Sequence, residues 1–364
     1  MIQVDRPDRS DDDASPPTVG ARTLLGLLAT LPGRRDDANS VVKGLFGDAL
    51  DERDSPLATP MTVRAGAAVL PLERGVPRAA LAEAIPDATP RISLLVHGLM
   101  STESVWGFPT DASTTYGTLL ARDHGVTTLS LRYNTGRHIS TNGRELAEIL
   151  NWLMRAWPVP VREINLIGHS MGGLVVRSAC HYARSVRPLG RHLPFGRRWT
   201  SKVRRVVLIG VPNAGAPLEV IVNTVSAGLW ALPVPATRLV GYGLDRRSAG
   251  IKDLRFGAIA DEDWLEHDPG TRTRTHPHRA LRLRRARFLT IAGTVTADPE
   301  HPLAKVIGDA LVTSSSAGGR TGHAGVDELF RDATQHVFPR VTHIALAHHE
   351  EAHAVIDAWW PSPP

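Results

Sequence analysis

The chain has 364 residues, 42% of them hydrophobic and 22% charged, with a formal net charge of +5. That composition allows a sizeable apolar core, and a single cysteine, Cys180, excludes an intrachain disulfide. No apolar run is long enough to span a bilayer. The LLGLLATL stretch near the start is too short, and it follows acidic residues where a secretory signal would be basic, so a cytoplasmic location is expected.

Residues 1–36 combine charge with proline and little apolar periodicity, and read as a disordered tail ahead of one domain over 37–364. VVKGLFGDAL suggests a short helix, and MTVRAGAAVLPLE two strands turning at Ala65-Gly66. From residue 91 onward, apolar β-rich runs alternate with helical patterns: ISLLVHG, VTTLSLRY, INLIGHS, VVLIGVP, FLTIAGT and HVFPRV. Continuous hydrophobicity means that both faces of these strands are buried, so the fold class is α/β, a mostly parallel central sheet with helices on both faces. The best helix is STNGRELAEILNWLMRAWP. There Leu146, Ile149, Leu150, Leu153, Met154 and Trp157 recur at helical spacing, Asn142 to Glu145 resembles a capping box, and Pro158 stops the helix.

In such a sheet ligands bind at the carboxyl edge. The basic clusters RPLGRHLPFGRRWTSKVRR and RTRTHPHRALRLRRAR precede strands and therefore belong to the opposite edge, a solvated surface for which no nucleic-acid partner is expected. Residues 212–270, between two strands, are too long for a plain crossover helix and are read as a cap insertion. Its apolar part, APLEVIVNTVSAGLWALPVPA, fits an acyl pocket or packed helix equally well.

The chemistry gathers on INLIGHSMGGLVV. Gly168, Ser170 and Gly172 form a G-x-S-x-G string between a buried strand and a helix. A strand-to-helix turn of this sharpness crowds the neighbours of the serine, which is why glycine is wanted at both flanks; the turn lifts the Ser170 hydroxyl above the sheet edge. The amide of Met171 is then one candidate oxyanion donor, and the amide of Leu99, after the close-approach residue Gly98, is the second. His97 reads as a brace for that loop. A serine needs a base, and the base needs an orienting acid. Two acids compete after FLTIAGT, Asp298 and Asp309. Glycine before Asp309 and apolar residues after it favour a partly buried carboxylate, whereas Asp298-Pro299 looks like a surface turn. His343 follows the last strand and precedes the final helix, and is the candidate base.

One motif competes. His349-Glu350-Glu351-Ala352-His353 spells the H-E-x-x-H of zinc proteases, two ligands one helical turn apart with a glutamate that activates water. Only Asp357 could supply a third ligand beyond it, while Ala352, Val355, Ile356 and Trp359 recur at a packing spacing. The favoured reading makes His348, His349 and His353 surface residues within that last helix.

LLVHGLM, LRYNTGRHISTNGREL, LIGHSMGGLVVRSACHYA, LIGVPNAGAPLE, GDALVTSSSA and THIALAHHEEAHAVIDAWW together resemble, in order, segments of a bacterial α/β-hydrolase family of lipase and esterase type, related to GPI inositol-deacylase-like hydrolases. The resemblance spans roughly residues 40–360. It implies Ser170 as nucleophile, Asp309 as acid, His343 as base and the Leu99 and Met171 amides as oxyanion hole. Two departures stand out: Val211-Pro212-Asn213-Ala214-Gly215 where such proteins often read T-P-H-x-G, which would alter the pocket wall, and Ala310 where they often carry a second glycine.

The expected activity is cleavage of a small-molecule or lipid carboxylic ester through a Ser-His-Asp triad and an acyl-enzyme. It requires no cofactor and no metal, and leaves peripheral membrane contact open. The alternatives are a non-catalytic binding module on the same fold and a zinc metallopeptidase using HEEAH.

Overall fold

The computed structural model describes residues 44, 60–185, 199–216, 248–265, 283, 285–298, 309, 312–319 and 324–361. The expected tail over 1–36, most of the two basic clusters and much of the 212–270 insertion lie outside those residues.

Eight strands form one sheet: β1 (Thr62–Ala65), β2 (Ala68–Val69), β3 (Arg91–Val96), β4 (Thr127–Arg132), β5 (Glu163–His169), β6 (Val203–Ile209), β7 (Arg287–Thr294) and β8 (Thr334–Pro339). Their order is β2-β1-β4-β3-β5-β6-β7-β8. β1 runs antiparallel to β2 and β4, and every other neighbouring pair is parallel. The hairpin turns at Gly66, whose φ of 56° a glycine adopts without steric cost.

The helices are α1 (Arg78–Ala84), α2 (Tyr116–His124), α3 (Ile139–Ala156), α4 (Met171–Ser185), α5 (Ala249–Phe256), α6 (Ser314–Ala317), α7 (Ala324–Leu329) and α8 (Glu350–Trp359). Because side chains alternate along a strand, each central strand feeds two cores. Leu94, Leu166, Val206 and Leu208 face Leu146, Leu150 and Leu153 of α3 and Leu174 of α4. Leu95, Ile167, Val207, Ile209 and Ile291 face Tyr116 and Leu120 of α2 and Ala352, Ile356 and Trp359 of α8. The chain thus folds as a mostly parallel α/β sheet covered on both sides.

Helix α3 starts earlier than its sequence suggests. Ile139, not a residue after Asn142, opens it, and the capping box at 142–145 does not form. The first-turn amide of Ile139 instead donates to Asp253 Oδ2 at 2.8 Å, and His138 Nδ1 lies 3.1 Å from each Asp253 oxygen. A carboxylate at a helix N-terminus satisfies an amide that has no partner within the helix and meets the positive end of its dipole. Asn142 Nδ2 donates to the Asn134 carbonyl, and Glu145 accepts from Arg137 at 2.7 Å.

Asp253 belongs to α5, so part of the 212–270 segment is bonded into the body. Gly250 N donates to the Gly136 carbonyl at 3.0 Å, Ser178 Oγ donates to the Ile259 carbonyl at 2.5 Å, and Ile251, Leu254 and Ile259 are buried.

Candidate active site

β5 ends at His169 and α4 begins at Met171, leaving Ser170 alone to make the turn at φ 54°. A non-glycine residue pays on the order of 1–2 kcal/mol for that conformation. Two backbone bonds hold it there: Ser170 N to the Ile209 carbonyl at 2.8 Å and Gly173 N to the Ser170 carbonyl at 3.0 Å. The flanking glycines leave no room for a side chain. A Cβ on Gly168 would stand 2.5 Å from Gly173 Cα, and one on Gly172 would run into the carbonyls of Val96 and His97.

β3 delivers the loop His97-Gly98-Leu99-Met100 to the same place. A Cβ on Gly98 would lie 2.8 Å from Ser170 Cβ and 3.3 Å from its Oγ, so the loop backbone rests directly on the serine. His97 braces that loop: Nδ1–H donates to the Gly98 carbonyl at 2.9 Å, and the ring stacks on Tyr133 at 4.6 Å. Tyr133 Oη donates to the His97 carbonyl at 2.8 Å, and Met100 N, at φ 56°, donates to Thr135 Oγ1 at 3.2 Å. Burial pushes the His97 pKa down to about 4, so the brace is neutral. The amides of Leu99 and Met171 have no backbone acceptor among the described residues. Met171 also opens a helix, whose N-terminus favours negative charge.

On the other side of Ser170 stand Asp309 and His343, both buried. His343 Nδ1 lies 2.8 Å from Asp309 Oδ2, and His343 N donates to the Asp309 carbonyl at 3.1 Å. Asp309 is itself fixed, with Oδ1 accepting from Val312 N at 2.7 Å and its own amide donating to the Val312 carbonyl at 3.2 Å. With Nδ1 carrying the proton toward Asp309, the His343 Nε2 lone pair is buried and without a hydrogen-bond partner among the described residues. His169, adjacent to Ser170, reaches the His343 carbonyl with Nε2 at 3.0 Å. Asp298, the competing acid, is exposed in the turn after β7. The structure thus brings Ser170, Gly98, Asp309 and His343 to one region at the carboxyl edge of the sheet.

A family model described as "Alpha/beta hydrolase family" matches residues 94–358. The chain belongs to the alpha/beta hydrolase family. Its fold is similar to those of the mature lipase BlEst2 from Bacillus licheniformis (16% identity, 76% of this chain and 93% of that one, TM-score 0.45) and the esterase PF2001 from Pyrococcus furiosus (13%, 75% and 82%, 0.43). It is also similar to the esterase RhEst1 from a Rhodococcus species (15%, 75% and 91%, 0.40). No curated protein matches the chain.

In this alpha/beta hydrolase the H-E-x-x-H stretch is not a surface run within one helix, as the sequence suggested. α8 begins at Glu350, His349 is its N-cap, and His348 lies in the preceding 3-10 turn. His349 packs on Phe338 and His353 on Tyr116, with ring centroids 5.4 and 5.7 Å apart. His353 is buried, and burial lowers its pKa. Asp357, the one available third ligand, is held by His124 Nε2 at 2.8 Å. Among the described residues no three His, Cys, Asp or Glu side chains converge as a metal set.

The Val211–Gly215 departure has a packing consequence. Asn213 is fully buried, accepting from Arg177 Nη1 at 3.0 Å and donating to the Ser316 carbonyl at 3.1 Å, so it joins α4 to α6. Ala310, the second departure, lies outside the described residues.

Two residues at the site escaped the sequence reading. Gly210, at φ 58°, leaves space that His343 occupies: a Cβ there would lie 3.0 Å from His343 Cε1 and 3.1 Å from Nδ1. A glycine ending a buried strand was the available signal. His169 occupies the first unspecified position of the G-x-S-x-G string, and nothing local reveals a bond to a residue so distant in the chain.

Proposed function

We propose that this alpha/beta hydrolase cleaves carboxylic esters with Ser170 as nucleophile, His343 as general base and Asp309 as the orienting acid. The observation that carries the reading is the 2.8 Å contact between His343 Nδ1 and Asp309 Oδ2, which leaves the Nε2 lone pair without a hydrogen-bond partner among the described residues and available to Ser170. As Ser170 Oγ attacks the carbonyl carbon, its proton passes to His343 Nε2, and Asp309 stabilises the imidazolium so formed. The negative charge moves onto the carbonyl oxygen, where the amides of Leu99 and Met171 receive it. Collapse expels the alcohol, protonated by His343, and leaves an acyl-Ser170. Water, deprotonated by the same base, then releases the acid.

The substrate is proposed to be a small-molecule or lipid ester. The order of motifs further supports, as a finer reading, kinship with GPI inositol-deacylase-like hydrolases. A fluorophosphonate probe tests the nucleophile directly. It should form one covalent adduct, located on Ser170 by peptide mass spectrometry and lost in Ser170→Ala; labelling elsewhere, or none, contradicts the assignment.

A further inference from the structure

The base stands far from the nucleophile in both sequence and sheet order. His343 follows β8, the edge strand, and two strands, β6 and β7, separate β8 from β5. The bonds that fix the base loop come mostly from the β7 side. Val341 N donates to the Thr294 carbonyl at 3.1 Å, and His343 is bound through N and Nδ1 to Asp309, which follows β7 in the chain. These bonds set His343 relative to its acid. They do not set it relative to Ser170.

One bond among the described residues does so: His169 Nε2 to the main-chain carbonyl of His343, at 3.0 Å. A carbonyl only accepts, so His169 carries its proton on Nε2. The ring has little freedom to turn away. The edge of Trp106 packs against it with centroids 6.2 Å apart, and the His343 ring lies 4.9 Å away. Its Nδ1 faces the oxyanion loop, 3.4 Å from where a Cβ on Gly98 would stand, and has no hydrogen-bond partner among the described residues. Burial holds the His169 pKa down to about 3, which keeps the ring neutral with a single N–H to commit. The residue beside the nucleophile on the strained turn is therefore bonded to the base loop and has its other ring nitrogen toward Gly98 of the oxyanion loop.

We propose that His169 is a positioning residue: by donating Nε2–H to the His343 carbonyl, it registers the base against the nucleophile's own turn. This rests on the serine-hydrolase reading above. A side chain that merely filled the same volume would leave the acid–base pair intact but free its loop to drift. Displacement of about 1 Å in a reacting group costs up to about a hundredfold in rate.

The test compares His169→Phe, which keeps a ring but loses the donor, with His169→Gln, whose amide nitrogen reaches about as far as Nε2. Each is assayed on a p-nitrophenyl ester, with kcat expressed per site titrated by fluorophosphonate so that a misfolded fraction does not count. His169→Phe should lower kcat per titrated site by roughly 10- to 100-fold with KM little changed, and His169→Gln should recover most of it. Wild-type kcat per site in His169→Phe, or His169→Gln no better than His169→Phe, overturns the proposal.

A second measurement does not depend on turnover. Nitrogen-15 NMR of histidine-labelled wild type should show His169 as the neutral Nε2–H tautomer from pH 5 to 9. The low-field Nδ1–H proton of His343 should be protected in wild type and exchange rapidly in His169→Phe. An Nδ1–H tautomer at His169, or unchanged protection of the His343 proton in His169→Phe, rejects the tether. If Ser170→Ala hydrolysed the ester as fast as wild type, the serine-hydrolase reading would fail, while the NMR arm would still decide the tether.

Discussion

Asp309 grips His343 twice, with its carbonyl accepting the His343 amide proton at 3.1 Å and its Oδ2 lying 2.8 Å from Nδ1. The first contact sets where the ring begins, and the second sets which nitrogen carries the proton.

Asp309→Asn separates these two effects. The backbone contact and an acceptor for Val312 N survive, but the amide presents a donor to Nδ1 and drives His343 to the wrong tautomer. We expect kcat to fall by about 10³–10⁴-fold with a nearly unchanged melting temperature. Asp298→Asn, in an exposed turn, should keep wild-type turnover. Steady-state kinetics of the two variants checks the choice between the acids, and equal losses would contradict it.

Gly210→Ala should fail for two reasons that a control separates. Its φ of 58° costs about 1–2 kcal/mol for an L-residue, and its Cβ would press within 3.0 Å of the His343 ring. Gly66 has a similar φ of 56° but open space around it. Both alanine variants should lose stability in urea unfolding, Gly210→Ala at least as much as Gly66→Ala, and only Gly210→Ala should also lose kcat. Loss of kcat in both, or in neither, would contradict the account.

The strands were legible because burial on both faces writes an unbroken apolar run into the chain, as in Leu94-Leu95-Val96 and Val206-Val207-Leu208-Ile209. Ser170, Gly168 and Gly172 were legible because the turn's steric demand falls on adjacent residues. What the sequence did not disclose depends on distance. The cap of α3 is Asp253, 114 positions from Ile139, so a local rule chose Asn142 instead. His353 is buried because Tyr116, distant in the chain, packs against it; its own neighbours, Glu350 and Glu351, look like surface.

Two buried histidines set an acid limit on stability. Burial depresses His97 to about 4 and His169 to about 3 from an ordinary 6.5. Below pH 6.5 the unfolded chain takes up protons that the folded chain refuses. Their contribution is therefore fully present above pH 6.5 and is lost as pH falls toward 4 and then 3. The melting temperature should drop through that window. His97→Phe, which keeps a ring against Tyr133, should show a shallower drop between pH 6.5 and 4 than wild type. Parallel curves would show that His97 is not the source.

The most direct test is hydrolysis of p-nitrophenyl esters of increasing acyl length in excess EDTA, comparing wild type with Ser170→Ala. Turnover should survive the chelator and fall by several orders of magnitude in the variant. Turnover that persists in Ser170→Ala, or that disappears on EDTA addition alone, would contradict it.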